Sequence, residues 1–374
     1  MSTDNKKTIV IVGGGFVGSN VAKGLSSQID PSKHQLIQIT ASPKFVHFPS
    51  TIRAVVTPEG KLEDRAFMPY GDYLAGKAEV KVGEVVSFTA AQGEKKGEVI
   101  LAGGEVVEYD VLVLTPGNKW NGPFNFPTEQ SALQSHIESW RAKIEKARSI
   151  VLVGGGAVVR SNSQPVPFIQ QGKEVTVIHG GRLPMNDTYT DRFRSGLLKK
   201  LQDHGVKVVL KDRIDNLTPS EDGTITTAKG KVINADLVIP TIGATPNTHF
   251  IKESLSEDVL DATNHVKTLP TFQLANYPNI FAAGDIVDFK EQKQAAKAPG
   301  HAGVVVKNVL AVLKGQSAHA QYKGSYEIII VTIGRSKGLG YFGLLWGIVL
   351  GDWFARMIKS KDLMIDMTKK QFGF

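Results

Sequence analysis

Short aliphatic and β-branched runs without polar alternation recur along the chain: residues 8–12 (TIVIV), 36–40 (LIQIT), 109–114 (YDVLVL), 149–153 (SIVLV), 174–179 (EVTVIH), 237–243 (LVIPTIG) and 279–285 (NIFAAGD). A strand covered on both faces is apolar at successive positions, so these runs predict parallel strands inside an α/β fold. Residues 19–25, behind the first run, continue as a helix. The most apolar stretch is 339–354 (LGYFGLLWGIVLGDWF), with Arg356, Lys359 and Lys361 following it. It is shorter than the roughly 20 apolar residues of a spanning helix. It reads as domain core from which some of Tyr341, Phe342, Trp346, Trp353 and Phe354 reach an interface, and residues 339–361 are where a peripheral membrane contact is expected.

Two of the strands open into glycine loops. The run 8–12 leads into Gly13-Gly14-Gly15-Phe16-Val17-Gly18, with Gly13, Gly15 and Gly18 at G-x-G-x-x-G spacing. The first glycine makes a tight turn, the second lets backbone approach a pyrophosphate and the third brings helix against strand, so this is a candidate dinucleotide site. The second strand ends on Thr40 where such folds place an acidic residue for the ribose, which leaves that task to Thr40, Ser42 or backbone.

The run 149–153 leads into Gly154-Gly155-Gly156-Ala157-Val158-Val159. Val159 replaces the third glycine, and Pro165 and Pro167 follow where a phosphate-facing helix should begin. Proline removes a donor and clashes with a preceding carbonyl, so regular helix is expected only after Pro167. The companion strand ends at His179 with the spacing of an intact unit, and Arg182 beyond it is a candidate partner for a 2′-phosphate or a solvated surface residue. Gly154, Gly156, His179 and Gly243 are the candidate contacts of a second dinucleotide.

At 374 residues the chain suits two or three domains. It contains no cysteine, which excludes disulfides, thiolate zinc sites, iron–sulfur clusters and any relay of electrons through a redox-active Cys pair. The nine histidines show no metal-ligand spacing, and no metal is expected. Net charge is +8, and residues 335–374 hold seven basic against three acidic side chains. Lysines elsewhere are dispersed in pairs such as Lys95-Lys96 and Lys199-Lys200, so nucleic acid is not an expected partner. The first residues lack signal- or transit-peptide character and Ser2 replaces a myristoylatable glycine, which makes a cytoplasmic enzyme the expectation.

The two glycine loops, Thr115-Pro116-Gly117, Gly284-Asp285, and the stretches 52–54 (IRA), 175–179 (VTVIH), 333–336 (IGRS) and 359–363 (KSKDL) together resemble the apoptosis-inducing-factor-like flavoproteins, the ferroptosis-suppressor branch above all, nearly end to end. The resemblance implies a glutathione-reductase-like α/β flavoprotein: two Rossmann-like dinucleotide-binding domains and a small C-terminal α+β domain. Residues 1–120 with 245–315 would bind FAD, 121–244 would bind NADH or NADPH, and 316–374 would form the C-terminal domain. Electrons would pass from NAD(P)H through FAD to a quinone or similar small acceptor. On the matching positions, Gly13, Gly14, Gly15, Phe16, Val17 and Gly18 would hold the FAD pyrophosphate. Arg53 would approach the cofactor, Val82 would line its adenine side, and Gly117 would sit at the return turn. Gly284 and Asp285 would meet the ribityl chain and Lys359 the isoalloxazine edge, with Asp285 and Lys359 the expected catalytic pair. Thr40 departs from the family's acidic residue, and Val159 and Ser161 stand where it has Gly and Glu. The alternative implied is an FAD-binding scaffold with a degenerate nicotinamide site. A monomer or homodimer is expected, and a peripheral location would be a lipid-droplet or mitochondrial surface.

Overall fold

The computed structural model describes residues 6–93, 95–156, 168–169, 171–333, 336–360 and 363–374. Val159, Ser161, Pro165 and Pro167 lie outside the described residues, as do Arg335 and Lys361.

β1 (Lys7–Val12) leads into α1 (Phe16–Ser26), followed by β2 (His34–Thr40), α2 (Phe48–Val56), β3 (Glu79–Val82) and β4 (Val111–Leu114). The chain then builds a second sheet from β5 (Ser149–Val153), β6 (Glu174–His179), β7 (Lys207–Leu210) and β8 (Leu237–Pro240), with α3 (Asp191–Asp203) between β6 and β7. These four strands are all parallel, in the order β7-β6-β5-β8. The chain returns as β9 (Gln273–Leu274) and β10 (Tyr277–Ala282), which complete the first sheet as β9-β10-β4-β1-β2-β3, parallel except at β9. Ile9, Val10, Ile11, Leu112, Val113 and Leu114 are fully buried, which is why their runs carry no polar alternation. α4 (Ala298–Leu313) packs on α1 so closely that a side chain at Gly24 would lie 2.8 Å from Val306.

The run 109–114 is not one strand. Val106–Tyr109 closes a three-stranded antiparallel sheet with Val85–Thr89 and Gly97–Leu101, and only β4 enters the main sheet. The break falls at Asp110, whose carboxylate accepts from Thr8 N–H at 2.7 Å and whose own N–H donates to Thr8 O at 2.9 Å. After β10 comes a single 3-10 turn (Gly284–Ile286), and the next α-helix starts only at Ala298.

β11 (Ile328–Ile333), β12 (Lys337–Phe342) and β13 (Ile348–Leu350) form an antiparallel sheet. It packs on α3, burying Ile329, Val331, Leu339 and Tyr341 against Tyr189, Phe193 and Leu197. Asp352 pins the contact, accepting from Lys200 at 2.7 Å and from Gly338 N–H at 2.8 Å. The apolar stretch 339–354 is thus divided. Its first strand is core, while Leu345 and Trp346 at the β12–β13 hairpin tip are 76% and 95% exposed, and Trp353 is 75% exposed. No helix among the described residues is long and apolar enough to cross a membrane. α5 (Ile365–Phe372) returns to α1, where Lys23 Nζ donates to Gln371 O and Gln371 Nε2 to Asn20 Oδ1 at 3.0 Å.

Candidate functional site

The first glycine loop joins the C-terminal end of β1 to α1. Gly13 holds φ +116°, and a side chain there would lie 2.1 Å from Thr115 O. A Cβ on Gly18 would come within 2.1 Å of Gly13 O, so the third glycine allows α1 to close on the loop. Gly15 faces open space, and α1 starts with no acidic residue in its first turn and no side-chain cap. A helix N-terminus whose amides are unclaimed and whose approach is clear accepts a phosphate. Thr115 supports the loop from below, its hydroxyl donating to Val12 O at 3.0 Å.

Thr40 and Val82 are brought together at the neighbouring strand ends, paired across β2 and β3. Thr40 is 4% exposed, its hydroxyl donates to Ser42 O at 3.0 Å and Tyr70 Oη stands 3.3 Å away, so it braces the strand end rather than facing a ligand. Tyr70, which sequence inspection passed over, also donates to Gly14 O at 2.7 Å. Val82 is 53% exposed beside them.

On the other side of the loop, Gly117 (φ +69°) ends the 115–117 turn and Asn118–Lys119 pairs with Thr245–Pro246 where the chain passes to and from the second sheet. Asn118 Nδ2 donates to Asp285 Oδ2 at 2.9 Å, while its Oδ1 is buried with no protein partner. Burial pushes the Asp285 carboxyl above its ordinary range, against the pull of Lys293 and His301. Gly284 (φ +87°) lies against Val17 and its N–H donates to His301 Nδ1 at 3.1 Å. An orphaned amide oxygen and a buried carboxylate beside an open glycine loop suit a hydroxylated chain that supplies donors, and the ribityl portion of FAD is such a chain.

Arg53 on α2 is buried, and its charge reaches Lys359 from the C-terminal segment. Part of the Lys359 stem is open to solvent, but its Nζ turns inward to donate to Ile330 O at 3.0 Å. Burial, then Arg53, lower the Lys359 ammonium to about 8. His47, ahead of α2, is fully buried beside Phe16, with ring centroids 5.7 Å apart, and its Nδ1 lies 2.8 Å from Ser50 Oγ. Burial, then Lys359, depress its imidazolium to about 4, so it is neutral at pH 7. The sequence points to Arg53 and Lys359 but not to His47, because nothing in the spacing of residues 47, 53 and 359 announces that their charges influence one another.

The second loop repeats the strand-to-glycine geometry at Gly154 (φ +113°), packed against Thr241 and Ile242. His179 is not directed at a ribose: its Nδ1 accepts from Gly155 N–H at 3.1 Å and its Nε2 lies 3.3 Å from Met185 O. Gly156 and Gly243 have clear space around them. Arg182 Nη2 donates to both carboxylate oxygens of Asp191, at 2.8 and 2.7 Å, in an exposed pair.

The pyridine nucleotide-disulphide oxidoreductase family profile matches residues 7–302. The chain is 41% identical over 322 residues to the FAD-dependent oxidoreductase FVFD30 of Flammulina velutipes, covering 85% of this chain and 99% of that protein. It is 31% identical to apoptosis-inducing factor homolog B of Dictyostelium discoideum (97% and 96% covered) and 27% identical to ferroptosis suppressor protein 1 of Homo sapiens (97% and 95%). Among solved structures, the sulfide:quinone oxidoreductase of Aquifex aeolicus superposes with a TM-score of 0.71 at 14% identity, over 98% of this chain and 90% of that one, a likeness of fold. The chain therefore belongs to the pyridine nucleotide-disulphide oxidoreductase family and, within it, to the apoptosis-inducing-factor-like flavoproteins.

Proposed function

We propose that this FAD-dependent oxidoreductase takes electrons from NADH or NADPH and delivers them to a quinone or a similar small acceptor. When bound, FAD would supply the redox chemistry between nicotinamide and acceptor. The chain's residues do the rest. The amides of Gly14, Gly15 and Phe16 at the α1 N-terminus hold the pyrophosphate, with Gly13, Val17 and Gly18 shaping the loop. Val82 borders the adenine side, and Gly117, Gly284, Asp285 and Asn118 hold the polyol. Residues 1–120 with 245–315 serve this cofactor, 121–244 the nicotinamide and 316–374 close the site.

The observation that carries the reading is the grouping of Arg53, Lys359 and neutral His47. Two cations held in burial repel each other, and an added negative charge beside them relieves the cost. Lys359 is suited to stabilising the negative charge of a reduced flavin. Despite the family's name, no disulfide participates, because the chain has no cysteine.

A second reading, an FAD-binding scaffold with a degenerate nicotinamide site, draws support from His179, which takes the Gly155 N–H that an intact loop would offer to a phosphate. Anaerobic mixing of the holoprotein with NADH and with NADPH separates the two. Rapid loss of the flavin's visible absorbance, restored by a quinone, supports the oxidoreductase; a bound flavin that neither nucleotide reduces leaves the scaffold.

A further inference from the structure

We propose that His301, with Glu291, is the positioning pair that fixes the Gly284-Asp285 turn for the cofactor. This rests on the reading that Asp285 holds FAD.

His301 lies in the first turn of α4 and is 2% exposed. Its ring is held between Phe272 (centroids 4.6 Å, 33°) and Tyr322 (4.4 Å, 64°). Nδ1 accepts the Gly284 N–H at 3.1 Å, which requires the proton to sit on Nε2, and Nε2 donates to Glu291 Oε1 at 2.7 Å. The far oxygen of Glu291 accepts from Tyr322 Oη at 3.0 Å, and Lys297 Nζ stands 3.4 Å from it while bonding Glu327. Each member of this buried chain is thus held on more than one side. Glu291 fixes the tautomer, the tautomer makes Nδ1 an acceptor, and the acceptor fixes the amide that precedes Asp285. Lys293 secures the rest of the turn, donating to Val287 O at 2.7 Å and Phe289 O at 2.9 Å.

The residues on either side of the turn are tied to neighbouring strands, Ala283 N–H to Leu114 O at 3.0 Å and Ile286 O to Val266 N–H at 2.7 Å, and His301 holds the Gly284 N–H between them. Gly284 keeps a positive φ, the turn is one 3-10 revolution, and α4 begins only at Ala298. The Asp285 carboxylate is fixed from the front by Asn118, while the N–H of the preceding residue, Gly284, is fixed from behind by His301. A carboxylate held on both sides is preorganised for its ligand, and one freed at the back must be ordered on binding.

Three substitutions separate this role from packing. Asn places an acceptor where Nδ1 stands but cannot reach Glu291; Gln reaches Glu291 but leaves Gly284 N–H unmet; Phe keeps only the ring contacts. FAD is titrated into apoprotein and followed by quenching of its fluorescence, the midpoint potential of the bound flavin is recorded, and thermal unfolding of each apoprotein checks the fold. Expected is near-wild-type FAD affinity for His301→Asn and affinity about tenfold weaker for His301→Gln and His301→Phe, the cost of ordering the freed turn on binding, with the potential displaced in the same two. Equal affinities for Asn and Gln, or wild-type behaviour of Phe, overturn the proposal. If His301→Phe does not fold, the comparison of Asn with Gln decides. Wild-type apoprotein that binds no FAD overturns the underlying reading instead.

Discussion

Asn118 and Asp285 meet at 2.9 Å although 167 positions separate them. Their contact closes the gap between the ends of β4 and β10, beside the first glycine loop. Asn118 has one more polar atom, the buried and unpartnered Oδ1, so this side chain presents both a fixed donor to the carboxylate and a waiting acceptor to a ligand. Asn118→Leu should weaken FAD binding by about tenfold, because it removes the acceptor and leaves a buried carboxylate without its donor. Asp285→Asn should do the same while leaving the apoprotein as stable as wild type. Equilibrium dialysis of FAD against both variants checks this, and undiminished affinity in either removes that residue from the site.

Three of the loop glycines should fail in different ways. Gly18→Ala meets Gly13 O at 2.1 Å, a backbone clash that cannot be relieved by a rotamer, and should destabilise the apoprotein by about 3 kcal/mol. Gly15→Ala meets nothing and should leave stability unchanged while sharply lowering FAD uptake. Gly14→Ala presses on Tyr70 Oη at 1.9 Å and Thr40 Oγ1 at 2.6 Å and should lose both. Denaturant unfolding of apoprotein beside flavin content of purified protein reads the two effects apart.

Much of this was legible before any coordinates, and the reason is burial. Strands covered on both faces write continuous apolar runs, and glycines at G-x-G-x-x-G spacing are demanded by close approach, so β1, β5 and the loops behind them declared themselves. Asp110 did not, because its effect depends on Thr8, its partner in the neighbouring strand. His47 and His301 were passed over for a related cause: a histidine's role lies in what its two nitrogens touch, and those partners come from other elements. Lys359 was legible only through family resemblance. The stretch 339–354 reads as core with some aromatics exposed, but which residues fall on each side is not legible, since the same apolar letters serve a strand packed on α3 and an exposed hairpin tip.

That tip has an unusual backbone. Leu345 and Trp346 hold φ +46° and +64°, a region costly for large L side chains, and both face outward. Trp353 and Met357 are exposed nearby, and Arg356 is solvent-facing. On the reading that residues 339–361 touch a membrane interface, Trp346→Ser with Leu345→Asn should abolish co-sedimentation with anionic phosphatidylcholine–phosphatidylserine vesicles. Stability should be unchanged or raised, because Asn tolerates the left-handed region. Equal sedimentation of variant and wild type excludes this surface.

Lys359 carries its charge only below about pH 8. A negative charge developed beside it on reduction raises that value, so reduction takes up an extra proton between the lower value and the raised one, and the midpoint potential of the bound flavin should fall more steeply across that window. Lys359→Met should lower the potential at pH 7 by on the order of 30 mV or more, the equivalent of about one ordinary charge interaction, and remove the extra slope. Spectroelectrochemical titration from pH 6 to 10 follows both, and identical curves for Lys359→Met and wild type exclude an electrostatic role.

His47 should make the apoprotein sensitive to mild acid. Its imidazole is buried neutral with a folded value near 4 against an unfolded value near 6.5. Between these limits the unfolded chain takes up a proton that the folded chain refuses. Stability is therefore complete above about pH 6.5 and declines as pH falls toward 4, by up to about 3 kcal/mol at 1.36 kcal/mol per pH unit. Its two causes can be separated: Lys359→Met removes the neighbouring cation and should reduce the decline, whereas burial alone sustains most of it, because desolvation is the larger effect. His47→Gln, which never charges, should lose the decline altogether while still reaching Ser50. Urea unfolding of the three proteins at pH 7.5, 6 and 5 tests this. If wild type and His47→Gln lose stability in parallel, the acid sensitivity comes from other groups.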